Sequence, residues 1–332
     1  MRPIAVVLLA AGKGTRMKSE TAKVLHEICG RPMIAYPVEL AKKLKPKKTV
    51  VIVGHQAKQV KQTIGDHFPK AKVDFALQKT QDGTGHAVLQ AKRALKGFDG
   101  DVLILSGDVP LIRAEMLREF VLIHRRSGAD LSLLTTMMDD PTGYGRCMVD
   151  DHSNLLGIVE EKDANEEQRA ITEINTGIYL VDAGLLWQAL NEIGKDNAQG
   201  EMYLTDIVHI AAAQNKLVRA VLTSAADEVM GVNSRVELAE AAEIIRFRLL
   251  GQLMVDGVTI IDPATAYLDY GVKVGRDSLL EPCVMLAGKT KVGEGCRIGM
   301  GCRLENVTLG KNVTLSPYTV LSNKRIKTGT VI

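Results

Sequence analysis

The chain has 332 residues, 46% hydrophobic and 24% charged, with a formal net charge of +3. That length exceeds an ordinary single domain, so two domains, or one with a sizeable extension, are expected. The small net charge and the 4% aromatic content argue against a nucleic-acid face, whether basic or built of stacking rings. No basic-then-apolar leader opens the chain and no apolar run approaches the ~18 residues of a membrane span. Neither a nucleic acid nor a membrane is an expected partner. Cys29, Cys147, Cys283, Cys296 and Cys302 are odd in number and form no CxxC pair. They read as reduced thiols in a cytoplasmic protein.

From the N-terminus, "PIAVVLLA", "MIAYPVELAKKL", "KTVVIVG", a helix from Lys58, "KVDFALQ", "AVLQAKRAL" and "DVLILSGD" alternate apolar β-branched runs with helical periodicity. Such alternation predicts an α/β fold with a mostly parallel, doubly wound sheet, whose ligands sit beyond the carboxyl ends of the strands. Two loops fall there. The first, "LAAGKGTRM", runs from Leu9 to Met17. Met17 stands where a dinucleotide fingerprint needs a small third residue, and Lys13 lies between the glycines, where a Walker loop would have it after them. What survives is a turn whose backbone N–H groups face an anion at a helix N-terminus, with Lys13 and Arg16 as counter-charges. For the loop taken alone, the alternative is a structural turn before a basic helix start.

The second loop, "LILSGDVPL", ends an apolar strand in Ser106, Gly107 and Asp108. A carboxylate at that edge can hold Mg²⁺ against nucleotide phosphates, and the glycine before it permits close approach. Farther on, "LQKTQDGTGHA", "DDPTGYGR", "GIVEEKDA", "EINTGIYL", "QGEMYLTDI" and "MGVNSR" are each plausible polar loops or strand ends.

From Asn233 to Leu253 the chain is rich in helix formers and free of glycine and proline until Gly251, which predicts one long helix. Beyond it, Val274, Leu280, Leu286, Val292, Ile298 and Leu304 recur every sixth position. Each is followed by a small or acidic residue, and after a slip of one residue the series resumes at Leu309, Leu315 and Leu321. An aliphatic residue every six positions points inward from each face of a three-sided parallel β-helix, here expected to run for about three coils.

"LAAGKGTRM" followed by "AKVLHEICGRPMI", with the six later segments in this order and the hexad repeat after a long helix, resembles the GlmU family of bacterial N-acetylglucosamine-1-phosphate uridyltransferases. The likeness covers the whole chain. It implies a Rossmann-like, GT-A-like nucleotidyltransferase domain over 1–230, a linker helix over 231–252 and a short left-handed parallel β-helix of hexapeptide repeats over 253–332.

By that resemblance, the Leu9, Ala10, Ala11 and Gly12 backbone and the Gln78 carboxamide bind the uracil and ribose side, with Gly83 and Thr84 closing over it and Ser106 and Gly107 beside it. Gly145, Glu160, Asn175 and Thr205 are assigned to the sugar pocket, Asp108 and Asn233 to Mg²⁺, both expected to follow strands at one sheet edge. Lys23 takes the family's substrate-phosphate position, and with Arg16 and Lys13 forms the catalytic cations. The implied reaction joins UTP and N-acetylglucosamine 1-phosphate into UDP-N-acetylglucosamine, a cell-wall precursor, and pyrophosphate. Its nucleophile is an already ionised phosphate oxygen, so His26, His55 and His86 are expected to have packing roles.

The family's second activity, acetyl transfer from acetyl-CoA, resides in coils beyond those present here and is expected to be absent. The coils also imply a homotrimer. Two other readings are a pyrophosphorylase for a different nucleotide and sugar phosphate, and a non-catalytic sugar-nucleotide sensor. The sensor would have no need of Arg16, Lys23, Asp108 and Asn233 together. A free-standing hexapeptide acyltransferase needs a histidine, and none follows His209.

Overall fold

The computed structural model describes residues 2–332, which divide into two compact units. One runs to His26 and resumes over Met33–Ser234; the other combines Glu27–Pro32 with Arg235–Ile332. The division falls at Ser234, four residues beyond the expected boundary. A hexad-based reading had no means of assigning the 27–32 segment to the second unit.

The first unit is built on β1 (Ile4–Ala10), β4 (Lys48–Val53), β5 (Asp74–Leu77), β6 (Asp101–Ser106), β7 (Leu131–Met137), β8 (Arg146–Val149), β9 (Leu155–Val159), β10 (Glu173–Asp182) and β11 (Val218–Thr223), β2 and β3 being the two strands of the 27–32 hairpin. The main order is β11-β7-β10-β6-β1-β4-β5, with β8 and β9 appended beside β10. Its helices are α1 (Ala35–Lys43), α2 (Ala57–His67), α3 (Thr84–Leu89), α4 (Ala114–Ser127), α5 (Glu166–Arg169), α6 (Ala183–Glu192), α7 (Asp206–Ala213) and α8 (Ala226–Val229).

Alternate residues of β1 serve opposite cores. Ala5 and Val7 join one apolar cluster, and Val6, Leu8 and Ala10 the other. A strand covered on both faces has no polar side, which is why "IAVVLLA" reads as a continuous apolar run. The sheet is more mixed than expected, because β10 lies antiparallel between β6 and β7 and pairs with both. β4 and β5 extend from one side of β1 while β6 pairs with the other, so the chain reverses its winding direction between β1 and β6. That is the crevice where doubly wound sheets bind ligands.

The second unit opens with α9 (Arg235–Val255), followed by a left-handed parallel β-helix with three four-stranded faces. One face stacks Thr259–Ile260, Leu279–Leu280, Arg297–Ile298 and Thr314–Leu315 in register. All nine hexad aliphatics named above are buried, from Val274 at 9% exposure to Leu280, Leu286, Ile298 and Leu304 at 0%. Each such side chain removed from water stabilises its coil by roughly 1.5–3 kcal/mol. The four strands per face correct the expectation of about three coils. The first coil puts Leu268 eight residues after Ile260, so Ile260 falls outside the six-residue series to which Val274 of the same coil belongs.

Inside the coils, buried polar groups are paired. Ser278 Oγ donates to the Gly293 carbonyl at 2.9 Å, and Thr290 Oγ1 to that of Ala287 at 2.6 Å. All five cysteines are free, as expected. Among the described residues, no helix is long and apolar enough to cross a membrane.

Candidate active site

A cleft of about 300 Å³ opens at the carboxyl ends of β1 and β6. Its lining includes Leu9, Ala10, Ala11, Gly12, Lys23, Gln78, Gly83, Thr84, Ser106 and Asp108. Gly107 donates its N–H to the Leu9 carbonyl at 2.8 Å, and a Cβ there would stand 2.9 Å from that oxygen. The glycine thus lets the two loops touch, which places Asp108 beside the loop after β1.

"GKGTR" opens one 3-10 turn, Thr15–Met17, in place of the expected helix N-terminus, so no helix dipole is aimed at an anion. Gly14 sits at φ +66°, and a Cβ on it would lie 2.5 Å from Cβ of Lys23. The second glycine therefore makes room for the lysine. Lys13 and Arg16 stand exposed on this loop, outside the lining of the cleft.

Lys23 is the hub. Its ammonium pairs with the Asp108 carboxylate and donates to Asn233 Oδ1 at 3.0 Å. Asp108 and Asn233 therefore aim two hard oxygens at one positively charged point. That donor set suits Mg²⁺, which takes one or two protein oxygens and keeps waters or substrate phosphates for its other positions. No group of three or more His, Cys, Asp or Glu residues capable of holding a metal occurs among the described residues. Asn233 does not directly follow a strand, contrary to expectation. It lies in the loop after α8, held by the bond from Val232 N–H to the Asp108 carbonyl at 2.9 Å.

Gln78 is 5% exposed, and its Nε2 donates to the Gly83 carbonyl at 3.1 Å beside His86 Nδ1 at 3.2 Å. With the amide nitrogen so engaged, Oε1 is the group left to accept from a ligand. Gln81 and Glu201 also line the cleft, although the sequence had not singled them out. Gln81 Nε2 donates to the Ala11 carbonyl at 2.8 Å. Both residues lie inside the quoted segments, yet nothing in residue type distinguished them from their polar neighbours.

The remaining four residues gather nearby. Asn175 N–H donates to the Gly145 carbonyl at 2.9 Å, and Thr205 Oγ1 to Glu160 Oε1 at 3.1 Å. Glu160 Oε2 would lie 3.5 Å from a Cβ on Gly145. Leu204 N–H, donating to Thr84 Oγ1 at 3.0 Å, ties this cluster to the cleft. An irregularity in β10 between Asn175 and Ile178 breaks the ladder at Asn175, whose Oδ1 accepts from Gly177 N–H and from the Tyr179 hydroxyl. Burial raises the Glu160 carboxyl, with Asp163 and Asp206 pushing the same way and the Thr205 hydroxyl opposing. Burial likewise raises the thiol of Cys147, and that of Cys29 to about 11, so neither is an activated nucleophile.

A family model described as "Nucleotidyl transferase" matches residues 5–237. The "Bifunctional protein GlmU" of Geobacter metallireducens is 51% identical over 297 residues, covering 89% of this chain and 62% of the relative. That of Anaeromyxobacter dehalogenans strain 2CP-C is 48% identical over 330 residues, covering 99% of this chain and 67% of the relative. The chain thus spans only about two thirds of these relatives' length. With a nucleotidyltransferase domain, a crevice at the sheet's switch point and a β-helix after one long helix, the chain belongs to the GlmU family.

Proposed function

We propose that the first unit transfers a uridylyl group from UTP to N-acetylglucosamine 1-phosphate, giving UDP-N-acetylglucosamine and pyrophosphate. The observation that carries this reading is the convergence of Lys23, Asp108 and Asn233 at the switch-point cleft. In the reaction a sugar-phosphate oxygen bonds to the α-phosphorus as the bond to the bridging oxygen of pyrophosphate breaks. The nucleophile is ionised at neutral pH, so the chain has to align and neutralise and needs no general base.

The Leu9–Gly12 backbone cradles the nucleotide, and Gln78 Oε1 accepts from the uracil N–H. Lys23 offers its ammonium to substrate phosphate, with Lys13 and Arg16 reaching in from the exposed loop toward the triphosphate. Glu160, Asn175, Thr205 and the Gly145 backbone receive the sugar's hydroxyls and acetamido group. Asp108 and Asn233 would hold Mg²⁺, which when bound neutralises charge on the α-phosphate and the departing pyrophosphate.

Pyrophosphate release measured across a panel of nucleoside triphosphates and sugar 1-phosphates tests this. UTP with N-acetylglucosamine 1-phosphate should be the fastest pair by at least ~100-fold, since unpaired polar groups penalise the wrong substrate. A faster pair of another kind would replace the substrate assignment, and no release with any pair would return the sensor reading.

We further propose a homotrimer assembled along the coils. On one face the outward row is Tyr267, Met285, Arg303 and Val320, and its three exposed apolar side chains favour burial against another copy. A monomer mass in sedimentation would overturn this.

A further inference from the structure

The two oxygens assigned to the cation come from loops far apart in sequence, and the reaction needs them held together. Val232 N–H on the Asp108 carbonyl is one tie. A second lies on the same two segments, where the Arg113 guanidinium, in the loop beyond Asp108, pairs through Nε with the Glu228 carboxylate in α8. We propose that Arg113 and Glu228 form a positioning clamp that sets the spacing of Asp108 and Asn233, an inference that rests on the metal-assisted reading above.

The Glu228 side chain is 4% exposed and that of Arg113 is 60% exposed. A carboxylate sunk to that depth is costly unless partnered, so the segment carrying it seats only where its partner waits. α8 spans four residues, far too few to persist alone, so residues 226–233 take their position from what they touch. Among those contacts are Val229 and Val232, buried at 3% and 2%, the Arg113 pair, the bond from Val232 N–H to the Asp108 carbonyl, and the Lys23 ammonium on Asn233 Oδ1. The apolar pair fixes depth. The clamp and the backbone bond fix the position along the Asp108 loop, and a slip of roughly 1 Å there is enough to cost a site its geometry.

The clamp acts through Asn233 and touches no substrate, so its signature is a changed cation constant and not a changed maximal rate. Mn²⁺ alone, titrated by water-proton relaxation against the whole chain, reports the site without turnover. E228Q keeps the side-chain volume and removes the charge, and R113M alters only an exposed partner. Each should weaken Mn²⁺ by about tenfold, the lower end for outer contacts of a metal site. The E228Q/R113M double variant should be no weaker than either single one, and R113K should stay within about twofold of the parent because it keeps the charge. In turnover, the Mg²⁺ needed for half-maximal rate should rise with kcat at saturating Mg²⁺ little changed.

D108N is the control that separates the two readings. If D108N weakens Mn²⁺ and both E228Q and R113M leave it unchanged, the clamp is overturned and the metal site stands. If D108N leaves Mn²⁺ binding unchanged, the metal-site reading falls and the clamp with it. A lowered melting temperature with an unchanged Mn²⁺ constant makes the pair a packing contact only, and overturns the proposal.

Discussion

The two units hold their important side chains by opposite means. In the coils, a strand is paired with the strands one turn before and after it, as Leu286 is with Leu268 and Leu304, and the core is a stack of equivalent layers. In the nucleotidyltransferase unit, Lys23, Asp108 and Asn233 meet from three segments far apart in sequence, held by a few bonds and by the close approach that Gly14 and Gly107 permit. A repetitive scaffold spreads a local defect into stability, whereas a site assembled from distant loops converts it into lost function. Substitutions in the two units should therefore separate cleanly into those that lower melting temperature and those that lower turnover.

The largest separation is expected at the hub. Asp108→Ala and Lys23→Ala should each lower turnover by roughly 100- to 1000-fold, the usual loss when a group stabilising transition-state charge is removed. Both side chains are partly solvated, at 17% and 14% exposure, so the melting temperature should move by only a few degrees. Steady-state pyrophosphate release and thermal unfolding measured on the same preparations check both halves. Unchanged turnover in either variant would break the assignment of the cleft.

Gly14→Ala should act next most strongly. A left-handed backbone costs a residue with a Cβ about 1–2 kcal/mol, and here the new methyl would also press on the Lys23 stem. A fall in turnover of about tenfold is expected, with a lysine-like loss in sugar-phosphate handling. Ile298→Ala reverses the pattern. Removing a fully buried side chain from the coil core should cost about 2–5 kcal/mol in the unfolding of that unit. Turnover in the first unit should stay within about twofold, since the lost methyl groups belong to the separate coil core.

Legibility in the sequence followed the same divide. The coil aliphatics could be read one by one, because a period of six in the chain is a period of one face in space. Ile260, set eight residues before Leu268, lies outside that period. The parallel core of the first unit was legible from its apolar runs, but antiparallel β10 was not, since "EINTGIYLVD" carries no mark of its strand direction. In the cleft, Gly107 and Asp108 announced themselves by following an apolar strand. Lys23 and Asn233 came only through the family resemblance, because no spacing rule connects loops that the fold alone brings together. The helix start expected after the glycine loop is a 3-10 turn, and the room that Gly14 leaves for the stem of Lys23 has no mark in the sequence.

The smallest expected effect is a pH dependence that sets stability against binding at one residue. Burial raises the Glu160 carboxyl above its ordinary value, Asp163 and Asp206 add to the rise, and the Thr205 hydroxyl partly offsets it. The folded chain therefore keeps this proton to higher pH than the unfolded chain does, and the resulting stability is full below the ordinary glutamate range and lost as pH rises through the raised value. Glu160→Gln does not titrate. The melting temperature of the parent minus that of the variant should accordingly fall as pH rises above the ordinary glutamate range and through the raised value. Binding should run the other way, because the ionised carboxylate is the stronger acceptor for the sugar's donors. The parent's KM for the sugar phosphate should drop as pH rises through the same range, relative to a Glu160→Gln profile that retains the substrate's own titration. A KM difference between the two that is flat with pH would mean that Glu160 packs against Thr205 without reading the sugar.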